Sequence, residues 1–132
     1  MSENISENKL KYTLPDNSRI KKRSEFLYVQ NNGAKFYSRH FLVIALENCL
    51  NTSRIGVTIS KKIDKRATMR NRIKRRIKEV FRINRHSLVN NFDIVIIARK
   101  NANKLEFRNI EREILGALFH NGLIIKGTLE SL

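Results

Sequence analysis

Residues 61–82 carry a charge pattern that strongly limits how the chain can fold. This segment contains 11 lysine or arginine residues and only two acids, Asp64 and Glu79. Projected as a helix from about Ala67, with about 100° between successive residues, its apolar side chains fall on one stripe: Met69, Ile73, Ile77, Val80 and Phe81. The opposite side carries Asn71, Arg75, Lys78 and Arg82, flanked by Arg72 and Lys74. One side can therefore pack on a sheet while the other presents cations.

This excess of positive charge is unusual for a helix that meets only solvent. Solvated helix faces normally mix signs, with Glu and Lys four residues apart. Here like charges repel along the helix, and a polyanionic partner would relieve that repulsion. The pattern therefore favours a nucleic-acid contact over an ordinary solvated face. Asp64 or Thr68 is expected to cap the helix start, since either side-chain oxygen can accept a free backbone N–H.

The whole chain is basic as well. Its 132 residues have a net charge of +15 and a pI of about 10.6, and 41 % are hydrophobic, which suits one globular domain. The charge points to nucleic acid or to an anionic membrane. No apolar run approaches the ~20 residues of a membrane helix, and the chain start lacks a signal-peptide core. We therefore expect a cytoplasmic nucleic-acid-binding protein with no membrane partner. Cys49, the single cysteine, cannot form an internal disulfide.

Hydrophobic periodicity and turn residues predict a single α+β domain. Residues 1–17 and 125–132 are expected to be tails, and residues 18–124 the folded domain. The helices are predicted at residues 24–32, from about 67 onward, and at about 105–120. The strands are predicted at residues 35–37, 40–47, 53–60 and 92–98. The order is α-β-β-β-α-β-α, which gives a two-layer sandwich with two helices on one sheet face.

The predicted helix ends rest on local signals. Ser24 is expected to cap the first helix and Gly33 to stop it. Asn103 and Glu106 resemble a capping box before the last helix. The pair Asn121-Gly122 is expected to end that helix.

Residues 53–60 alternate between the two faces of the predicted sheet. Ile55, Val57 and Ile59 point one way, and Arg54, Gly56 and Thr58 point the other. The second face is therefore not covered by apolar packing from this strand. Strand 92–98 is continuously apolar, which is typical of a central strand.

Aromatic residues lie close in sequence to a second basic cluster, residues 19–23. Single-stranded nucleic acid binds by stacking on aromatic rings in a basic groove. Phe26 is the best stacking candidate, because its short helix could border the open side of Gly56 and Thr58. Most of the neighbouring aromatics, Phe41 above all, are expected to be core residues.

The sequence shows no set of residues that could perform catalysis by itself. His40, His86 and His120 share no metal-ligand spacing with each other or with Cys49, so we predict no protein-built metal site. No paired carboxylates and no glycine-rich phosphate loop are present. We therefore predict no catalytic residues, and any enzymatic chemistry must come from a partner.

The segment TISKKIDKRATMRNRIKRR, residues 58–76, resembles the signature of the bacterial ribonuclease P protein subunit. The family motif is RNRIKR after a strand that ends in SKK. Upstream, LPDNSRIKKRSEF with Gly33 seven residues after Phe26 is similar to the family's N-terminal pattern. IIARK, residues 96–100, is similar to its last strand. The resemblance covers roughly residues 14–122.

The resemblance implies a small basic protein that binds a large catalytic RNA. In this family the RNA uses Mg²⁺ to cleave the 5′ leader from precursor tRNA, and the protein alone is not catalytic. The protein holds the leader in a cleft between the N-terminal helix and the sheet. The implied fold contains a left-handed βαβ crossover through the basic helix. No small-molecule cofactor is implied.

The resemblance also assigns roles to residues. Those expected at the catalytic RNA are Lys61, Lys62, Arg66, Arg70, Asn71, Arg72, Lys74, Arg75 and Lys78. Those expected at the precursor-tRNA leader are Phe26, Arg19, Lys22, Phe36 and Tyr37. Two positions depart from the family pattern, because Gln30 and Ile44 stand where other members often have aromatics. Leader stacking is therefore expected to be weaker here, or to involve Phe36 or Tyr37.

Two other classes fit the basic features without the family motif. A ribosomal or RNA-chaperone protein would show the same charge and aromatic content. A DNA-binding regulator fits less well, because the basic helix has no helix-turn-helix partner. Its polar side is rich in phosphate-binding residues and contains only Asn71 as a base-reading residue.

Overall fold

The computed structural model describes residues 14–124, and within them the predicted order of helices and strands is confirmed. The helices are α1 (Arg23–Asn32), α2 (Ala67–Asn84) and α3 (Phe107–His120). The strands are β1 (Ala34–Tyr37), β2 (Phe41–Glu47), β3 (Arg54–Thr58) and β4 (Phe92–Ala98). Short 3₁₀ turns precede α1, follow α2 and precede α3.

The four strands form one mixed sheet in the spatial order β1-β2-β4-β3. β2 is antiparallel to both β1 and β4, whereas β3 runs parallel to β4. The central position of β4 explains its continuous apolar sequence, because both of its faces are covered. A parallel pair needs a crossover, and α2 supplies it. The left hand of that crossover stays a prediction.

The larger core lies between one sheet face and the helices α2 and α3. The apolar stripe of α2 points into it, and Ile73, Ile77, Val80 and Phe81 are between 0 % and 7 % exposed. Ile110, Ile114, Leu115 and Leu118 of α3 face the same core. The predicted pairing of two helices on one sheet face is therefore confirmed.

A smaller core lies on the other sheet face, beneath α1. Val29 of α1 packs with Ile20, Ile44 and Val95, and Phe26 adds to the cluster at its border. α1 comes so close to β2 that a Cβ on Gly33 would lie 2.8 Å from the Ile44 side chain. Glycine therefore ends α1 because of this close approach, and its φ of −81° is not left-handed.

The predicted helix caps are partly wrong. α1 begins at Arg23, before Ser24, and no side chain caps its N-terminus. α3 begins at Phe107 with Glu106 at its N-cap position and no side-chain cap, and the Asn103 amide donates to Asp64. The stop of α3 is confirmed, since Gly122 follows its last residues with a φ of +81°. These caps depend on tertiary partners, which a local sequence pattern does not show.

The N-terminal part of the domain begins earlier than predicted. Leu14 belongs to the larger core and is 9 % exposed, although residues 14–17 were assigned to a tail. Ile20 donates its backbone N–H to the carbonyl of Ile55, so this segment runs along the free edge of β3. The predicted tail residues 1–13 and 125–132 lie outside the described residues.

Candidate nucleic-acid interface

The loop between β3 and α2 is held by Asp64. Its buried carboxylate accepts the Arg66 backbone N–H at 2.9 Å, the Arg66 guanidinium at 3.0 and 3.1 Å, and the Asn103 amide at 3.0 Å. These hydrogen bonds, first of all from the Arg66 side chain, hold the pKa of Asp64 well below its usual range. Arg70 donates to the carbonyls of Asp64 and Lys65. Asp64 is thus an anchor of the loop, whereas the sequence suggested a helix cap.

This anchored loop places cations at the start of α2. Lys61 and Lys62 are exposed on the turn after β3, and the Arg66 side chain is 67 % exposed despite its ion pair with Asp64. Arg70 is half-buried, because its guanidinium is bound to the loop carbonyls. Arg70 therefore shapes the loop as well as adding charge.

The outward side of α2 is available to a ligand. Asn71, Arg72 and Arg75 are exposed, and Lys74 and Lys78 are half-buried. Across residues 14–124, none of these five side chains forms a hydrogen bond or an ion pair. Arg82 differs, because its Nε and Nη2 donate to the Glu79 carboxylate. Glu79 thus pairs with Arg82, and Arg75 stays unpaired within residues 14–124.

The N-terminal basic cluster lies beside the end of α2. Arg85, in the turn after α2, donates to the Ser18 hydroxyl at 2.7 Å. Burial is the main reason why the pKa of Lys78 is lowered, and the positive charges of Arg19 and Lys74 lower it further. Arg19 itself pairs with Asp16 at 2.8 Å, and Lys22 is exposed. The segments of the two predicted RNA contacts are thus neighbours in the fold.

An open cleft lies between α1 and β3 on the smaller-core face. The Phe26 ring rests directly on Gly56, where a Cβ would lie only 2.6 Å from it. The cleft measures about 380 Å³ and is lined by Lys21, Arg23, Phe26, Leu27, Gln30 and Thr58. α1 therefore borders the polar side of β3 as the alternation in residues 53–60 predicted.

A charged network fixes α1 over the sheet. Arg54 of β3 binds Asp93 of β4 with two nitrogens, at 2.8 and 2.7 Å, and binds Glu25 of α1 at 2.8 Å with a third. The Asn48 amide adds a bond to Asp93 at 2.8 Å. The pKa of Arg54 is raised, mainly by the hydrogen bonds that it donates to Asp93. Glu25 precedes Phe26 directly, so this network positions the aromatic ring.

The other predicted leader residues are not gathered at this cleft. Phe36 pairs with Val43 in the β1–β2 register and packs against the larger core, on the opposite sheet face from Phe26. Tyr37 is 69 % exposed on β1, the edge strand farthest from β3, with the Arg99 guanidinium 5.5 Å from its ring centre. Ile44 is 1 % exposed beneath α1. Within residues 14–124, Phe26 is the one aromatic that lines the cleft.

Metal-binding clusters and membrane-spanning helices are two further features on which the structure of residues 14–124 bears. Residues 14–124 contain no group of three or more His, Cys, Asp or Glu side chains arranged for a metal ion. His40 instead engages Glu113, through its ring nitrogen at 3.0 Å. No helix in that range is long and apolar enough to cross a membrane.

Comparison with known proteins assigns the family. The model of the Ribonuclease P family matches residues 14–121, which span α1, the basic helix and the whole sheet. The chain belongs to the ribonuclease P protein family. Members of this family are protein components of an endoribonuclease that contains RNA and processes the 5′ end of tRNA. The resemblance seen in the RNRIKR segment is thereby confirmed.

Similar proteins agree with this family. The ribonuclease P protein component of Syntrophus aciditrophicus is 39 % identical over 104 residues, covering 79 % of this chain and 87 % of the relative. That of Streptococcus pneumoniae serotype 4 is 38 % identical over 102 residues, covering 77 % and 82 %. The RNase P protein structure from Staphylococcus aureus is 29 % identical, with a TM-score of 0.75 over 82 % of this chain and 98 % of that one. The Thermotoga maritima structure is 30 % identical, with a TM-score of 0.70 over 77 % and 96 %.

Proposed function

We propose that this chain is the ribonuclease P subunit that binds the catalytic RNA through α2 and the 5′ leader of precursor tRNA through the cleft. In this role it assists the Mg²⁺-dependent endonucleolytic removal of the leader in the cytoplasm. The observation that carries the proposal is the position of Phe26 in an open cleft lined by Lys21 and Arg23, beside the segment that Arg85 ties to the end of α2. One RNA can lie on the helix while a single strand enters the cleft.

The contact with the catalytic RNA uses the outward cations of α2, together with Asn71 and the cations of the loop before the helix. Its residues are Lys61, Lys62, Arg66, Arg70, Asn71, Arg72, Lys74, Arg75 and Lys78. An arginine guanidinium group can bind phosphate oxygens with two parallel hydrogen bonds, and a lysine ammonium group adds a point charge. Such contacts position an RNA backbone without reading its sequence.

The leader contact combines stacking and charge. Phe26 offers a ring on which one leader base can stack, and Lys21 and Arg23 line the same cleft. Arg19 and Lys22 lie on the approach to it. The half-buried Phe36 ring on the other sheet face and the distant Tyr37 do not share this cleft, so Phe26 is the main stacking residue.

The chemistry belongs to the RNA partner and its Mg²⁺. The buried carboxylates offer no metal cage among residues 14–124, because Asp64 is bound by Arg66 and Asn103, and Asp93 by Arg54 and Asn48. The residues present therefore do not fit a protein-held Mg²⁺. The protein's part is to bind and orient the two RNAs.

Purification from cells tests this function. The protein should bring down one abundant structured RNA, and the complex should cleave precursor tRNA at the mature 5′ end. Recovery of ribosomal RNA without such cleavage would contradict the proposal and support a ribosomal or RNA-chaperone role. A wash at high salt that releases the RNA and removes the activity together is the control.

A further inference from the structure

A groove lies between α2 and the start of α3. Residues 72, 75, 76 and 79 are three or four positions apart, so they form one stripe on the side of α2 that faces α3. The groove measures about 390 Å³ and is lined by this stripe, which is Arg72, Arg75, Arg76 and Glu79, and by Phe107. Pockets of ~300–1,000 Å³ hold one small molecule, so this groove has room for a single base.

Phe107 has a fixed position at one wall of this groove. It is the first residue of α3, and it is half-buried because it packs against the larger core. Two residues earlier, the carbonyl of Leu105 accepts a hydrogen bond from Arg76 at 3.1 Å, which ties the start of α3 to α2. Within residues 14–124, Phe107 is the one aromatic residue that lines the groove. Its ring is therefore held beside the arginines of α2.

The groove is positively charged. Arg72 and Arg75 are exposed, and neither forms a hydrogen bond or an ion pair among the described residues. Glu79 is the one acid of the lining, and its carboxylate accepts hydrogen bonds from Arg82. The lining thus offers two unpaired guanidinium groups, whereas its single carboxylate is already paired. This charge favours an anionic occupant.

We propose that Phe107 stacks on an unpaired base of the catalytic RNA, while Arg72 and Arg75 bind the phosphates beside that base. This inference rests on the proposed function, because it takes the catalytic RNA as the polyanion on α2. An aromatic face beside cations is how proteins bind unpaired nucleotides. A base inside a duplex cannot offer its face to the ring, so the contact selects a point where the RNA helix is interrupted.

The precursor-tRNA leader is a poorer occupant of this groove. The leader is proposed to enter the cleft beneath α1, on the sheet face of the smaller core. Phe107 packs against the larger core on the opposite face. The RNA that covers the outward side of α2 is the one that reaches Phe107, so α3 joins α2 in the contact with the catalytic RNA.

RNA titrations of Phe107→Leu test this contact. Leucine keeps an apolar side chain for the core and removes the aromatic face, so the Kd for the catalytic RNA should rise by about fivefold or more, the low end for one base–aromatic stack. The slope of log K against log salt concentration should equal that of wild type, because no phosphate contact is lost. Arg72→Ala should instead reduce the slope by roughly one unit.

Phe119→Leu is the matched control. Phe119 is a half-buried aromatic residue of the same helix that packs against the larger core and does not line the groove. Its replacement should lower thermal stability and leave the Kd for the catalytic RNA unchanged. A wild-type Kd in Phe107→Leu, or an equal rise of the Kd in Phe119→Leu, would overturn the inference.

A tryptophan introduced into the groove reports the stack directly. The chain contains no tryptophan, so Phe107→Trp adds a single indole, whose fluorescence a stacked base should quench. Binding of the catalytic RNA should quench Phe107→Trp and leave Phe119→Trp unchanged. Unchanged fluorescence of Phe107→Trp in the complex would overturn the inference alone. Failure of the wild-type protein to bind the catalytic RNA would overturn the proposed function as well.

Discussion

Arg75 and Arg76 are neighbours in sequence with different structural roles. Arg76 is half-buried and donates to the carbonyl of Leu105 at 3.1 Å, so it ties α2 to the segment before α3. Arg75 is exposed, and within residues 14–124 it has no hydrogen bond or ion pair. A helical projection distinguishes inside from outside. It does not show which outward cations are already bound to the protein.

Arg75→Ala should weaken assembly with the catalytic RNA and leave the fold intact. Exposed substitutions usually change stability by only about ±0.5 kcal/mol. The loss of one phosphate contact should also reduce the slope of log K for RNA binding against log salt concentration by roughly one unit. A thermal melt beside an RNA titration measures both effects.

Ile77→Ala is the opposite control, because Ile77 is 0 % exposed and its removal should cost about 2–5 kcal/mol of stability. A strongly lowered melting temperature for Arg75→Ala would show that this side of α2 is structural.

Phe26→Ala should weaken binding of precursor tRNA more than binding of mature tRNA. Its ring is proposed to stack on a leader base, which mature tRNA lacks, and one such stack contributes about 1–3 kcal/mol. The measurement is the Kd of both tRNAs for the assembled complex.

Phe36→Ala is a matched aromatic control, since Phe36 packs against the larger core on the other sheet face. It should lower stability and leave the ratio of the two Kd values unchanged. An equal loss for both tRNAs in Phe26→Ala would assign that ring to the core.

At the scale of secondary-structure elements, periodicity and composition were sufficient to predict each α-helix and strand of residues 14–124, but not the short 3₁₀ turns. The stripe of α2 and the alternation of β3 are strong signals, because each matches the geometry of its element over many residues. The helix starts were less predictable. Ser24 and Asn103 look like caps locally, but Asn103 is bound to Asp64, 39 residues away in sequence.

The packing of α1 on β3 could not be predicted from either segment alone. It depends on Gly56, which leaves room for the Phe26 ring, and on the bonds of Arg54 to Glu25 and Asp93. The sequence showed that this side of β3 is polar. It did not show that an arginine there would hold a helix across the sheet.

Gly56→Ala should disturb the cleft while the domain remains folded. The new methyl group would lie 2.6 Å from the Phe26 ring, so the ring must move. Overpacking of this kind costs typically about 1–3 kcal/mol. Leader-dependent binding should fall, as measured by the Kd ratio of precursor to mature tRNA.

Gly116→Ala is the control, because no atom lies within 4 Å of the added Cβ and α3 should be stabilised by about 0.5–1 kcal/mol. An unchanged ratio in Gly56→Ala would show that the position of Phe26 does not set leader binding.

The loop before α2 should lose stability in acid. The folded-state pKa of Asp64 is lowered, so its contribution is present above its unfolded pKa of about 4 and is lost as pH falls through the lower folded value. Asp64→Asn should therefore be less stable than wild type at pH 7, with the difference shrinking below about pH 4.

Denaturant unfolding at several pH values measures this difference. Asp16→Asn is the control, since its side chain is 77 % exposed and such surface pairs contribute little. A difference for Asp64→Asn that stays constant down to pH 3 would contradict the role of the ionised carboxylate.

At the scale of the whole molecule, the chain has a net charge of +15, and the fold brings together basic segments that are separate in the sequence. The sequence identified the basic helix and the basic cluster of residues 19–23 as separate segments. Their proximity follows from the chain running along the edge of β3 and from the hydrogen bond of Arg85 to Ser18. Phe36 and Tyr37 show the opposite case, because both are near Phe26 in the sequence and far from it in the folded protein.

Binding to the catalytic RNA should depend strongly on salt. Each neutralised phosphate contributes roughly 0.7–0.9 units to the slope of log K against log salt. With roughly six phosphates neutralised, the slope should be several units. A titration from low to moderate salt gives this slope directly. A nearly flat dependence would exclude α2 as the contact surface.

Cleavage of precursor tRNA by the separated and combined components tests the central claim most directly. Highly purified protein free of RNA, the catalytic RNA alone, and the two together are each incubated with precursor tRNA and Mg²⁺. The protein alone should release no leader, and the combined components should release it faster than the RNA alone at low Mg²⁺. Release of the leader by the RNA-free protein, or an RNA rate that the protein does not change, would contradict the claim that this chain binds and orients RNA while its partner performs the chemistry.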